Sequence, residues 1–180
     1  MILKELSLKD SFIIEPEPFR DNRGEFSRIF CKEELKDIFD GNIAQINHSI
    51  TDKKGTFRGF HYQKQPFGEI KIVKVIKGSI IDIIVDIRED SPTFLQHHSE
   101  ILSSENRKMI FIPKGFAHGF QTLQDDTELI YFHSEFFNKS ADSGLNYRDR
   151  NLNIKLPLSV SNISEKDNNF SFIDKKFKGY

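Results

Sequence analysis

From Ile43 onward the chain is a succession of short β-branched and aromatic runs separated by turn residues, which restricts the fold to a β-sandwich or closed barrel. The clearest stretch, IKIVKVIKGSIIDIIVDI, reads as a central hairpin of two strands joined at Gly78 and Ser79. Both faces of these strands are mostly apolar, as in strands covered on two sides. Lys71, Lys74 and Asp82 therefore stand out as polar residues that need a reason. KMIFIPKGFAHGFQTL and TELIYFHSEFF supply further strands, with turns at Pro113-Lys114-Gly115 and Gln124-Asp125-Asp126.

Elsewhere the patterning is weaker. Lys32 to Phe39 is the one helical pattern in the first third: Leu35, Ile38 and Phe39 share a face and Gly41 can end it. After Pro157 the periodicity fades, and SEKDNNFSFIDKK reads as an ordered turn and short helix packed on the barrel, with a loose extreme end. No repeat or linker divides the 180 residues, so a single domain is expected: an N-terminal arm over about 1–42, a barrel over about 43–158, and a C-terminal turn and tail over 159–180.

Charge and cysteine content exclude several classes. Lys+Arg and Asp+Glu balance at 26 and 27, so total charge gives no reason to expect nucleic acid or an acidic membrane as partner. The single cysteine, Cys31, cannot form an internal disulfide, and MILKELSLKD lacks the apolar stretch of a signal peptide. A cytoplasmic location is the expectation. The longest apolar stretch, Ile80 to Ile87, is interrupted by Asp82 and Asp86 and is too short to span a bilayer.

Candidate chemistry concentrates in GTFRGFHYQ, where Arg58 and His61 lie close together between glycines. Strand alternation places residues 58 and 61 on opposite faces, so both can serve one cavity only if the chain bends, and Gly59 is where bending is easiest. An ordinary surface arginine and a structural histidine are the competing reading. His118, in GFAHGF, is either a neutral hydrogen-bonded histidine or a ligand-facing one, and His48 and His133 are equally ambiguous. The adjacent His97 and His98 point to opposite strand faces and read as surface residues. Tyr131 shares a face with Leu129 and His133, as a core tyrosine could; Lys71 shares one with Val73 and Val75, where a lysine is unusual unless it meets an anion. No HxH pair, GxSxG, P-loop or GxGxxG occurs, which removes the support for a metal cupin, serine hydrolase, kinase or dinucleotide dehydrogenase.

In order along the chain, FRDNRGEF, QINHS, GTFRGFHYQ, EIKIVKVIKGSIIDIIVDIR, SPTF, IPKGFAHGF, ELIY and SEKD resemble the dTDP-4-dehydrorhamnose 3,5-epimerase family from about residue 12 to 168. The resemblance implies an all-β, cupin-type jelly-roll barrel with a few short peripheral helices, a homodimer, no metal or other cofactor, and a nucleotide-linked 4-keto-6-deoxy sugar, with dTDP as the first expectation. It implies His61 as the base, Asp167 as its carboxylate partner, Lys71 beside the developing enolate oxygen and Tyr131 as the proton donor. Arg23, Gln45, Asn47, Arg58, His118 and Lys166 fall on positions that hold the sugar and diphosphate. Phe137 falls where the family usually has a tyrosine that stacks on the base. Arg28 and Asp142 occupy positions where the family commonly has glutamate, and the usual tryptophan and proline motifs near the end are NYRDRN and IKLPL. A one-carbon epimerase, a 3,4-ketoisomerase on the same barrel and a non-catalytic nucleotide-sugar binding module are the alternatives.

Overall fold

Apolar residues on both faces of the strands demand cover on both sides, and the chain provides it with two facing sheets wrapped by its own ends. The computed structural model describes residues 1–180. In chain order the strands are β1 (Ile2–Glu5), β2 (Phe12–Glu15), β3 (Phe19–Asp21), β4 (Gly24–Phe26), β5 (Gln45–Thr51), β6 (Phe57–Gln63), β7 (Lys71–Lys77), β8 (Ser79–Asp86), β9 (His97–Ser103), β10 (Met109–Ile112), β11 (Phe116–Thr122), β12 (Thr127–His133) and β13 (Asp142–Gly144). The one helix, α1, spans Glu165–Asn168. One sheet runs β1-β2-β10-β7-β12-β5 and the other β13-β6-β11-β8-β9, while β3 and β4 pair only with each other. This is the expected cupin-like jelly roll, with one short helix where several were anticipated.

Between the sheets lies a core that includes Val73, Val75, Ile80, Ile84, Phe120 and Leu129. On the outer face of the six-stranded sheet, Ile14, Ile72 and Phe111 pack under Leu35 and Phe39. On the outer face of the other sheet, Phe57, Ile83 and Val85 are covered by Tyr147, Leu156 and Ile163 from the C-terminal segment. Each sheet is thus buried twice, which explains the nearly continuous apolar runs.

Several expectations change. β7 and β8 are joined at Gly78 but do not form a hairpin; they enter opposite sheets. Gly78 makes that crossing at φ +80, where a Cβ would sit 2.5 Å from Thr127 Oγ1. Residues 32–38 form successive turns, not a helix, although Leu35 N–H does donate to Cys31 O (3.0 Å) and Phe39 N–H to Leu35 O (2.7 Å). So short a segment gains too few such bonds to offset nucleation, and the burial of Leu35 and Phe39 fixes it instead. The first fifteen residues add β1 and β2 to the sheet, so strand pairing begins well before residue 43. Tyr180 is not loose, because its N–H donates to Ile87 O (2.6 Å) and its ring lies against Gly68 and Gly115. His97 and His98 are half-buried on β9.

The end of β8 is anchored by Asp86, fully buried, which accepts hydrogen bonds from Arg88 Nε (2.9 Å) and Nη2 (2.8 Å), Ser91 Oγ (2.5 Å) and Thr93 Oγ1 (2.6 Å). Burial alone would raise its carboxyl, but the bonds from Arg88, Ser91 and Thr93 hold it below the usual carboxylate range. Asp86→Ala is expected to cost about 3–5 kcal/mol in urea unfolding at neutral pH, the usual penalty for stranding a buried partner. The contribution is complete above the ordinary aspartate value of about pH 4 and is lost as pH falls through the lower folded value. The gap between wild type and variant should therefore close in acid; a gap independent of pH would contradict this assignment.

Candidate active site

On β6, Phe57, Phe60 and Tyr62 all pack into the outer core, yet Arg58 and His61 both line the cavity between the sheets. Simple alternation cannot do this. The extra residue is Gly59: the β6–β11 register shifts opposite it, between His118 and Phe120. Gly59 has φ +131, and a Cβ there would lie 2.5 Å from Gly119 Cα, so only glycine fits. The bend expected from the sequence is present at the expected residue.

The same bend lets the Gly59 N–H donate to Asp167 Oδ2 (2.9 Å), while Asp167 Oδ1 lies 2.8 Å from His61 Nε2. Asp167 sits on α1, where Ser164 caps the helix by accepting from the Asp167 N–H (3.0 Å). Its side chain is 5% exposed and that of His61 is 39% exposed. Burial would raise the Asp167 carboxyl, but His61, Gly59 and Ser164 together pull it below the usual range. With Nε2–H donating to this carboxylate, His61 Nδ1 is left as the basic atom.

The opposite wall comes from the six-stranded sheet. Tyr131 on β12 and Lys71 on β7 line the same cavity of about 900 Å3. Tyr131 stands directly across from Val73 and His133 from Lys71 in the β7–β12 register. Burial pushes the Tyr131 hydroxyl well up, outweighing the opposing influence of Ser49, so it keeps its proton and can act as a donor. The His61 imidazole on one sheet thus faces a protonated phenol on the other.

Of the remaining predicted residues, Asn47, Arg58, His118 and Lys166 line the cavity. Gln45, Phe137 and Asp142 line an adjoining recess that shares Asn47, His61 and Lys71 with it. Arg58 is held only by neutral acceptors, Thr51 Oγ1 (3.1 Å) and Ile50 O (3.3 Å), so its charge is free for an anion. Lys166 is paired with Asp142. Arg23 and Arg28 do not reach this cavity. Arg23 lies on the β3–β4 hairpin, 86% exposed and bound to Asp21, and Arg28 pairs with Glu34. The hairpin forms a sheet of its own and is tied down by Glu25 bonding Arg20 (2.8 Å) and Arg107 (2.8 Å).

Two carboxylates escaped sequence reasoning as partners. Asp82, fully buried on β8, places Oδ2 2.8 Å from His118 Nε2, which accounts for the odd aspartate in an apolar strand. Glu69 holds both Lys71 (3.1 Å) and His133 (2.7 Å). Nothing in its sequence context signals this. Of the four histidines lining the cavity, His61, His118 and His133 are each paired with a nearly or fully buried carboxylate and His48 lies 3.3 Å from Glu128, and nowhere do three or more His, Cys, Asp or Glu side chains converge as a metal would require.

Fold and cavity together define a cupin-like barrel with a histidine and a protonated tyrosine on facing walls. The sequence matches the model of the dTDP-4-dehydrorhamnose 3,5-epimerase family over residues 5–175, and the chain belongs to that family. It is 37% identical to the dTDP-4-dehydrorhamnose 3,5-epimerase of Shigella flexneri over 93% of each chain. Among solved structures, it is similar to the dTDP-4-dehydrorhamnose 3,5-epimerase of Bacillus anthracis with TDP and PPi bound (37% identity, TM-score 0.92, covering 96% of this chain and 99% of that one). It is likewise similar to the dTDP-6-deoxy-D-glucose-3,5-epimerase of Legionella pneumophila in complex with dTDP-4-keto-L-rhamnose (33% identity, TM-score 0.92, covering 99% and 97%).

Proposed function

We propose that the chain epimerises a dTDP-linked 4-keto-6-deoxy sugar at C3 and C5, without a cofactor. The observation that carries this reading is the placement of His61 and Tyr131 on opposite walls of one cavity. A C4 ketone acidifies the hydrogens on C3 and C5. His61 Nδ1 removes one of them, the imidazolium is stabilised by Asp167, and the electron pair moves onto the C4 oxygen as an enolate beside Lys71. Tyr131 then returns a proton to the same carbon from the opposite face, inverting it. Arg58 and Lys166 serve the diphosphate, His118, Asn47 and Gln45 the sugar end, Phe137 the base by stacking, and Asp142 acts through its pair with Lys166.

A homodimer gives Arg23 and Arg28 their place, since neither reaches the cavity of its own chain. The hairpin that carries Arg23 exposes Phe19 and Phe26 at 81% and 72%, and β5 is an open sheet edge with Ile46 and Ile50 exposed. These are surfaces for a second copy, whose cavity the two arginines would complete. The reaction is assigned to the cytoplasm; no helix is long and apolar enough to cross a membrane.

With dTDP-4-keto-6-deoxyglucose in heavy water, label should enter at both C3 and C5. Label at one carbon would identify a single-carbon epimerase, a carbonyl migrating to C3 a ketoisomerase, and tight binding without exchange a binding module. His61→Asn should slow exchange by about 10²–10⁴-fold while sparing dTDP binding; undiminished exchange would assign the base elsewhere. Mixing refolded His61→Asn and Arg23→Ala chains should restore roughly one quarter of wild-type turnover, because mixed dimers, half the total, each contain one intact site. No recovery would place Arg23 in the service of its own chain.

A further inference from the structure

Lys71 presents a contradiction that the proposed mechanism leaves open. Its side chain is only 11% exposed, so its ammonium needs a compensating charge, yet a carboxylate that simply neutralised it would remove the field the enolate requires. The partner is Glu69, itself 9% exposed, with Oε1 3.1 Å from Lys71 Nζ. Its other oxygen, Oε2, is taken by His133 Nδ1 at 2.7 Å. Glu69 is thus shared between a cation and a hydrogen-bond donor. Burial alone would raise its carboxyl, but His133 first and then Lys71 bring it below the usual range, so the group is a carboxylate.

His133 is held in turn. Its Nε2 is 3.3 Å from Asn47 Nδ2, an orientation in which Asn47 donates and the histidine proton sits on Nδ1, pointing at Glu69. Gln45 Nε2 donates to Asn47 Oδ1 (3.4 Å), and Gln45 Oε1 accepts from the Phe137 N–H (2.9 Å). Donors point one way along the whole row, from the Phe137 backbone through Gln45, Asn47 and His133 to Glu69, where Lys71 donates from the other side. Such rows polarise cumulatively and fix the orientation of each member.

We propose that Glu69 and His133 are positioning residues for Lys71, with the hydrogen-bond row through Asn47 and Gln45 fixing the orientation of His133. This inference rests on the reading of Lys71 as the group beside the enolate oxygen. Among the other carboxylates lining the cavity and its adjoining recess, Asp167 is engaged with His61 and Asp142 with Lys166, so Glu69 is the one carboxylate bound to the lysine.

The test compares Glu69→Gln, His133→Leu and His133→Gln in solvent exchange on dTDP-4-keto-6-deoxyglucose, with dTDP binding measured by calorimetry as the check on folding. Glu69→Gln and His133→Leu should each lower kcat on the order of 100-fold, the cost of a misplaced catalytic group, with dTDP affinity unchanged. His133→Gln, whose amide both donates and accepts, should retain most of the rate. If His133 merely fills space, leucine will be tolerated as well as glutamine, and that result overturns the proposal. Wild-type rates in both Glu69→Gln and His133→Leu also overturn it. Lys71→Ala separates the two levels: undiminished exchange there refutes the enolate role of Lys71 itself, whereas loss in Lys71→Ala without loss in Glu69→Gln refutes only the positioning role.

Discussion

The close approach of Gly59 to Gly119 is the contact on which the site depends. Two backbones meet where any Cβ would collide, and the meeting adds one residue to β6 relative to its neighbour β11. Arg58 and His61 consequently share the cavity while Phe57, Phe60 and Tyr62 still fill the outer core. The bend also frees the Gly59 N–H for Asp167, so the residue that breaks the alternation helps hold the carboxylate that meets His61. Both sheets are buried on their outer faces by the chain's own ends, which leaves the space between them as the place for a polar site.

Around that space the electrostatics follow one pattern. His61, His118 and His133 each face a carboxylate of their own, Asp167, Asp82 and Glu69, and all three acids are nearly or fully buried. Buried acids of this kind hold an imidazole's tautomer and orientation.

Much of the fold was legible because doubly buried strands leave a strong apolar signature, and Gly59 announced the bend because only glycine tolerates it. The failures have equally physical causes. The stripe Leu35, Ile38 and Phe39 marks what is buried but not how the backbone gets there, and in eight residues packing outweighs helical bonding. Gly78 signals a turn, yet nothing local distinguishes a hairpin from a crossing between sheets. Asp167 pairs with a histidine 106 residues away, a distance no spacing rule bridges, so its role came from resemblance alone. Glu69 carried no signal, since a glutamate before a strand looks like any surface acid. Arg23 and Arg28 show a different limit: motif position gives no sign that neither reaches the cavity of its own chain.

With the proposed base and acid on opposite walls, removing the acid should uncouple proton loss from inversion. The direct measurement is Tyr131→Phe in heavy water, following deuterium entering substrate of unchanged configuration alongside the appearance of inverted product. Wash-in should continue while inversion falls on the order of 100-fold, the usual contribution of a positioned acid. Equal loss of both, or inversion at the wild-type rate, would contradict this assignment.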